Sequence, residues 1–147
     1  MQFVGRALIG AALMSASLYA AGDDAAAVKY RQKVMDSVGG TMGAMGAIAK
    51  QDVVHPDHLA ALAHNMANLA TIVPDVFPPG SDKGGDTKAR PEIWSTPAAF
   101  KERIDAFVDA AKKLDDVVKA GDTAGFPAAL GTLGKACKGC HDNFKNE

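Results

Sequence analysis

Only two cysteines occur in the 147 residues, and they stand three positions apart, at Cys137 and Cys140. A scattered disulfide framework is therefore excluded. Aromatic residues are scarce, at 6%, which together with abundant Ala and Gly favours close-packed helices over an aromatic-rich β-sandwich. Charge of either sign is in no excess. The formal net charge is -1 and the pI near 6.4, so nothing is available to neutralise a run of phosphates, and a general nucleic-acid binder is excluded. Sustained period-two alternation is missing, and no sheet is expected. What the chain does have is 48% apolar and 22% charged residues, enough to bury one core, and a length suited to one domain.

Residues 1–22 have the layout of a secretory signal peptide: Arg6 first, then an apolar stretch over residues 7–14, then small residues ending in Ala20-Ala21-Gly22, with Asp23 and Asp24 directly after. The apolar stretch is too short to span a bilayer, which needs ~20 residues. Cleavage would remove Arg6 and leave 15 basic residues against 17 acidic ones. The expected location is the periplasm, with no membrane insertion after cleavage. An oxidising compartment would threaten a free cysteine pair that had no use.

Residues 23–147 divide by apolar spacing into four amphipathic segments, expected as helices over about 24–50, 56–73, 97–119 and 123–146. The first has a stripe of Val28, Arg31, Met35, Val38, Met42, Met45 and Ala49, and the second Leu59, Leu62, Met66, Leu69 and Val73. The third follows Thr96-Pro97, read as a Thr cap with Pro in the first turn, and runs through Phe100, Ile104, Phe107, Ala111, Leu114 and Val118. The fourth carries Leu130, Leu133, Cys137, Cys140 and Phe144. Pro127 is tolerated there only near the start, so an irregular opening turn is expected. Rods of roughly 27–40 Å joined by short first and third links should pack as antiparallel neighbours. The middle link, 74–95, is long and rich in Pro and Gly, and reads as a partner surface or a spacer.

Cys137-Lys138-Gly139-Cys140-His141 is the C-x-x-C-H pattern of covalent c-type haem attachment. Two thiols can add across the two haem vinyl groups, and positions 137, 140, 141 and 144 share one helical face. The imidazole of His141 is thereby brought to the iron. Two other chemistries use such a pair. A thiol–disulfide oxidoreductase needs the first Cys at a helix N-terminus after a strand, whereas here the pair sits late in a helix. A zinc site needs more ligands, and His55, His58 and His64 are spaced three and six apart, so none forms an i, i+4 pair.

With its export signal, four amphipathic helices and C-x-x-C-H at the extreme C-terminus, the chain resembles the class II cytochromes c, including cytochrome c-prime. The stretches that carry the resemblance are Val28-Lys29-Tyr30-Arg31-Gln32 with Met35, Pro91-Glu92-Ile93-Trp94, and residues 134–142 around the motif. The resemblance implies an all-α, antiparallel up-down-up-down four-helix bundle with one covalently bound haem c, a topology known for this family and not read from spacing. It implies thioethers at Cys137 and Cys140, a proximal ligand at His141, and a haem propionate contact at Arg31. The inward position of Arg31 agrees, since a bare charge on a helix seam is costly unless an anion meets it. Lys145 falls either beside the proximal face or on a solvated helix end.

Met35 lies one turn after Arg31 and, by the resemblance, faces the distal side of the haem. The main expectation is that Met35 ligates iron, giving a periplasmic one-electron carrier that cycles Fe(III)/Fe(II), is not an enzyme and serves redox partner proteins. The alternative is a five-coordinate, high-spin cytochrome c-prime with an open distal pocket for NO or CO, Met35 then filling space. Met42, Met45 and Met66 read as core. Gly131, Gly134 and Gly139 read as positions where the backbone approaches the haem. A homodimer through the first two helices is open under the resemblance.

Overall fold

The structure is a computed structural model that describes residues 24–147. The expected signal segment, residues 1–22, lies outside the described residues. Among the described residues there are five α-helices: α1 Asp24–Ala49, α2 Leu59–Ile72, a short α3 Glu92–Ser95, α4 Pro97–Lys119 and α5 Phe126–Phe144. Single 3-10 turns extend α2 at both ends, at Pro56–His58 and Val73–Val76. The described residues contain no strand, and α1, α2, α4 and α5 form the four-helix bundle expected from the sequence. None of these helices is long and apolar enough to cross a membrane.

The helix ends have local causes. After α1, Gln51 takes a left-handed conformation at φ 62°, and the amides of Gln51 and Asp52 return to the carbonyls of Ile48 and Ala47. After α4 the same closure is made at Gly121, φ 69°, with Gly121 and Asp122 bonding back to Val118 and Val117. Both are the left-handed C-terminal stop that satisfies the last carbonyls of a helix. Pro97 starts α4 as expected, because its ring presets a helical φ and it has no amide to leave unpaired. Thr96, however, does not cap α4. Its hydroxyl donates to the Glu92 carbonyl at 2.7 Å and so closes the preceding short helix. Helix α5 begins three residues later than expected. Asp122 Oδ1 accepts the Gly125 amide at 2.8 Å, and this turn delivers Pro127 into the first turn of the helix.

Helix α4 packs most extensively, against α5 on one side and α2 on the other, while α1 leans on α2. Met45, Ala63, Met66, Ala111, Leu114 and Leu133 are fully enclosed at their junction. Met45 and Met66 are thus core residues, as expected. The buried face of α1 differs from the sequence stripe. Val34 and Thr41 are buried, and Met35 and Met42 are only half-buried. The buried hydroxyl of Thr41 is satisfied by the Ser37 carbonyl at 2.8 Å and by Asn65 Nδ2 at 2.9 Å. α1 and α5 touch only sparsely, and the space this leaves between them holds the candidate site.

Residues 74–95 are neither an open spacer nor wholly irregular. Ser81 is 1% exposed, Ile93 is buried, and α3 lies inside the segment. The segment is tied to the end of α5 by Arg90 N–H to the Phe144 carbonyl at 3.0 Å and Asn146 N–H to the Lys88 carbonyl at 2.8 Å. Trp94 Nε1 donates back to the Pro78 carbonyl at 3.1 Å, holding the two ends of the segment together. This strap closes one end of the space between α1 and α5.

Candidate haem site

A cavity of about 480 Å³ opens between α1 and α5. Helix α1 contributes Arg31, Met35 and Met42 to one wall, and α5 contributes Cys137, Cys140 and His141 to another. Phe100, Ile104 and Phe107 of α4 form an apolar wall between them. All five residues singled out in the sequence therefore line one space, although α1 and α5 are separated by most of the chain. On α5 this follows from helical geometry, since offsets of three and four residues fall on one face.

The two walls differ in chemistry. Cys137 and Cys140 are half-buried free thiols. Burial pushes the Cys140 thiol up to about 11, and Cys137 is raised for the same reason. A thiol held protonated in the middle of a helix is the opposite of the activated thiolate that disulfide exchange requires. His141 is exposed at the cavity edge, and desolvation together with the charge of Lys145 holds its imidazole below the ordinary histidine range, against an opposing effect of Asp142. The neutral imidazole that results is the form that ligates a metal.

Arg31 is 4% exposed, and its guanidinium is engaged in a way the sequence did not suggest. Nη1 donates to the Ser81 hydroxyl at 2.8 Å and, at 3.4 Å, to the Val76 carbonyl. Nη2 donates to the Ser81 carbonyl at 2.9 Å and the Thr87 hydroxyl at 2.8 Å. The group also lies over the rings of Phe77, 5.1 Å from the centroid, and Trp94, at 5.7 Å. Burial holds its pKa below the ordinary arginine value. Its hydrogen bonds are satisfied, so an anion is not needed for that purpose. Every one of those acceptors is neutral, however, so the charge itself has no carboxylate against it among the described residues.

Sequence reasoning missed the aromatic support. Phe77 meets Phe100 edge-on at 4.9 Å, and Phe100 meets Phe144 edge-on at 5.2 Å, giving a chain of rings from the strap through α4 to α5. Such pairs add ~0.5–1.5 kcal/mol each beyond area burial. Phe100 and Phe144 were legible as seam positions, but Phe77 has no periodic neighbour to mark it. Lys145 lies on the cavity edge and also follows the last turn of α5. Gly131, Gly134 and Gly139, read as haem-approach positions, are not among the residues that line the cavity. Space beside Gly131 is open, and Gly134 faces the tip of Met42.

The donor set fits a covalently held porphyrin: two thiols and an imidazole on one wall, an apolar wall from α4, and a buried cation without a counter-charge at the edge. The comparisons with known proteins agree. The family model for Cytochrome C' matches residues 26–145. The chain belongs to the cytochrome c' family. A cytochrome c' from Rubrivivax gelatinosus is 40% identical over 124 residues, covering 82% of this chain and 95% of the relative. The crystal structure of cytochrome c' from that organism superimposes with a TM-score of 0.81 at 36% identity, over 85% of this chain and 98% of the other. A nitric oxide complex of a variant of cytochrome c prime from Alcaligenes xylosoxidans gives 0.79 at 34% identity, over 86% and 98%. The cofactor of the family, and of this chain, is haem c. Nothing in these matches supports the Met-ligated, low-spin branch expected from the sequence.

Proposed function

We propose that this chain is a periplasmic haem protein that leaves the distal side of its iron open to a small uncharged ligand such as NO or CO. Cys137 and Cys140 hold haem c through thioethers, His141 is the proximal ligand, and Arg31 faces a propionate. Haem c would supply an iron that cycles between Fe(III) and Fe(II) and binds a small ligand. The observation that carries the reading is the largely apolar lining of the cavity that holds Met35. Val38, Met42, Phe100, Ile104 and Phe107 supply it, while the polar Arg31, Gln32, Asp36, Lys88 and Lys145 also line the cavity, the first three within one turn of Met35. An apolar wall costs a neutral diatomic little and a charged ligand a great deal. Met35 is half-buried in this wall and acts as an adaptable space-filler. The structural similarity to a cytochrome c prime in complex with nitric oxide adds support.

The residues of the chain bind and orient; no acid, base or nucleophile is assigned, and the role is that of a carrier rather than an enzyme. Redox partner proteins and a homodimer remain part of the proposal as expected from the sequence. The test is the ferrous absorbance spectrum of the purified holoprotein with and without CO. High-spin bands and rapid conversion on adding CO are expected. A low-spin ferrous spectrum that does not respond to CO would restore Met35 as the sixth ligand and the protein as a pure electron carrier.

A further inference from the structure

A second cluster of donor groups stands outside the haem cavity, where the link after α1 enters α2. We propose that His55, Asp57 and His58 form a surface site for one borderline divalent cation of the zinc class. Their spacing of three looked unsuited to metal binding when judged by the i, i+4 rule of an α-helix. The structure removes that objection, because the turn Pro56–His58 is 3-10 rather than α. With three residues per turn, positions i and i+3 eclipse. His55 stands just before the turn with non-helical backbone angles (φ -134°, ψ 61°), and its ring lies face to face with that of His58, with centroids 4.5 Å apart and planes within 5°. One donor atom from each of His55, Asp57 and His58 lies within 4.8 Å of the other two.

The turn that carries the three groups is firmly built. Pro56 fixes its first backbone angle, the His58 amide donates to the His55 carbonyl at 3.1 Å, and the Leu59 amide returns to the Pro56 carbonyl. Asp57 Oδ2 already stands 3.5 Å from His58 Nε2. Donors of a tetrahedral zinc centre lie about 3.3 Å apart, from bonds of roughly 2.0–2.1 Å. The lone pairs of two stacked imidazoles lie in parallel planes, so ligation requires the stack to open; all three side chains are exposed, and rotation about their side-chain bonds over a fixed backbone can do this. Two imidazoles and one carboxylate select a zinc-like ion over magnesium or calcium, which take oxygen donors. Beside the cluster lies a separate cavity of about 380 Å³ floored by Ala44, Ala47, Ile48 and Leu62. It leaves room for water at the fourth position and shares no lining residue with the haem cavity.

The test is calorimetric titration of untagged holoprotein with zinc chloride at neutral pH in a non-coordinating buffer. One zinc ion per chain is expected. His55→Ala and His58→Ala should each weaken binding by at least the ~10–100-fold seen on losing an outer-shell partner. His64→Ala, a histidine outside the cluster, should leave the affinity unchanged, and helicity and haem absorbance should be the same in every variant. Absence of binding heat in the intact protein would overturn the proposal. So would binding that survives the double change of His55 and His58 to Ala, or that is lost in His64→Ala.

Discussion

Arg31 of α1 holds both the hydroxyl and the carbonyl of Ser81, at 2.8 and 2.9 Å, across fifty residues of chain. This pairing fixes the strap to the bundle and sets the edge of the haem cavity. It also explains why a charged residue can occupy a seam position of α1. A guanidinium has five donors in a planar fork, and four of its contacts here end on strap oxygens. The group cannot shed its proton, so the cavity edge keeps a positive charge, which in the function proposed above meets a haem propionate.

Replacing Arg31 by Leu keeps bulk and removes the fork, leaving the nearly inaccessible Ser81 with an unmet acceptor. Hydrogen bonds to a charged group contribute ~1.5–3 kcal/mol each but are not additive, so a loss of about 2–4 kcal/mol is expected. Denaturant unfolding of the holoprotein measures it. Arg31→Lys should recover only a part, because an ammonium cannot span Ser81 and Thr87 with fixed geometry. Equal stability of Arg31→Leu and the parent would mean that the strap is held by its other ties to α5 and Trp94.

Much of this was legible before the structure, and the division is physical. The bounds of α4 follow from Pro97 and from the apolar period, and the face of α5 follows from the spacing in Cys137-Lys138-Gly139-Cys140-His141. Local rules determine both. The α1 stripe was half right because α1 serves two surfaces. Val34 and Thr41 face the core, while Met35 and Met42 face the cavity, and a single apolar stripe cannot separate these. The partners of Arg31 were not legible, since nothing about Ser81 or Thr87 in the sequence marks a contact with a residue so remote. The stacking of His55 on His58 was not legible for a simpler reason: the sequence was read with the period of an α-helix, and the turn Pro56–His58 is 3-10.

Two glycines should respond in opposite ways to the same substitution. Gly84 has φ +86°, and an added Cβ would fall 2.7 Å from Asp24 Cβ and 2.8 Å from the Ala25 amide. Gly84→Ala must therefore strain the turn and push the strap from the first turn of α1, at a cost of at least ~1 kcal/mol. Gly131 lies inside α5 with nothing near its missing Cβ. Gly131→Ala should stabilise by up to ~1 kcal/mol through helix propensity. Thermal unfolding of both holoprotein variants checks the pair. A loss of stability in Gly131→Ala would show that the haem approaches this stretch of backbone after all.

Met35 separates the two readings of the iron site. With an open distal side, Met35→Ala enlarges the space beside the iron without touching its resting coordination. Ferric and ferrous spectra should keep their spin state, while CO affinity changes on the order of tenfold, equivalent to about 1.4 kcal/mol of altered contact. Spectrophotometric CO titration reads both quantities at once. A parent spectrum that moves from low to high spin only in Met35→Ala would identify the thioether as a ligand.

The thiols provide a pH test of how α5 presents its motif. In chain made without haem attachment, burial favours the neutral thiol, so Cys140 should remain protonated until the pH nears about 11. The thiolate is the species that reacts with alkylating agents. Alkylation at mildly alkaline pH should therefore be slower in buffer than in urea, where both thiols return to an ordinary value, and the gap should close as the pH is raised toward that of the buried thiol. Mass spectrometry after a timed quench follows the two sites separately. Equal rates in buffer and urea would mean that α5 does not bury Cys137 and Cys140 until the haem is attached, and that cofactor and helix form their contacts together.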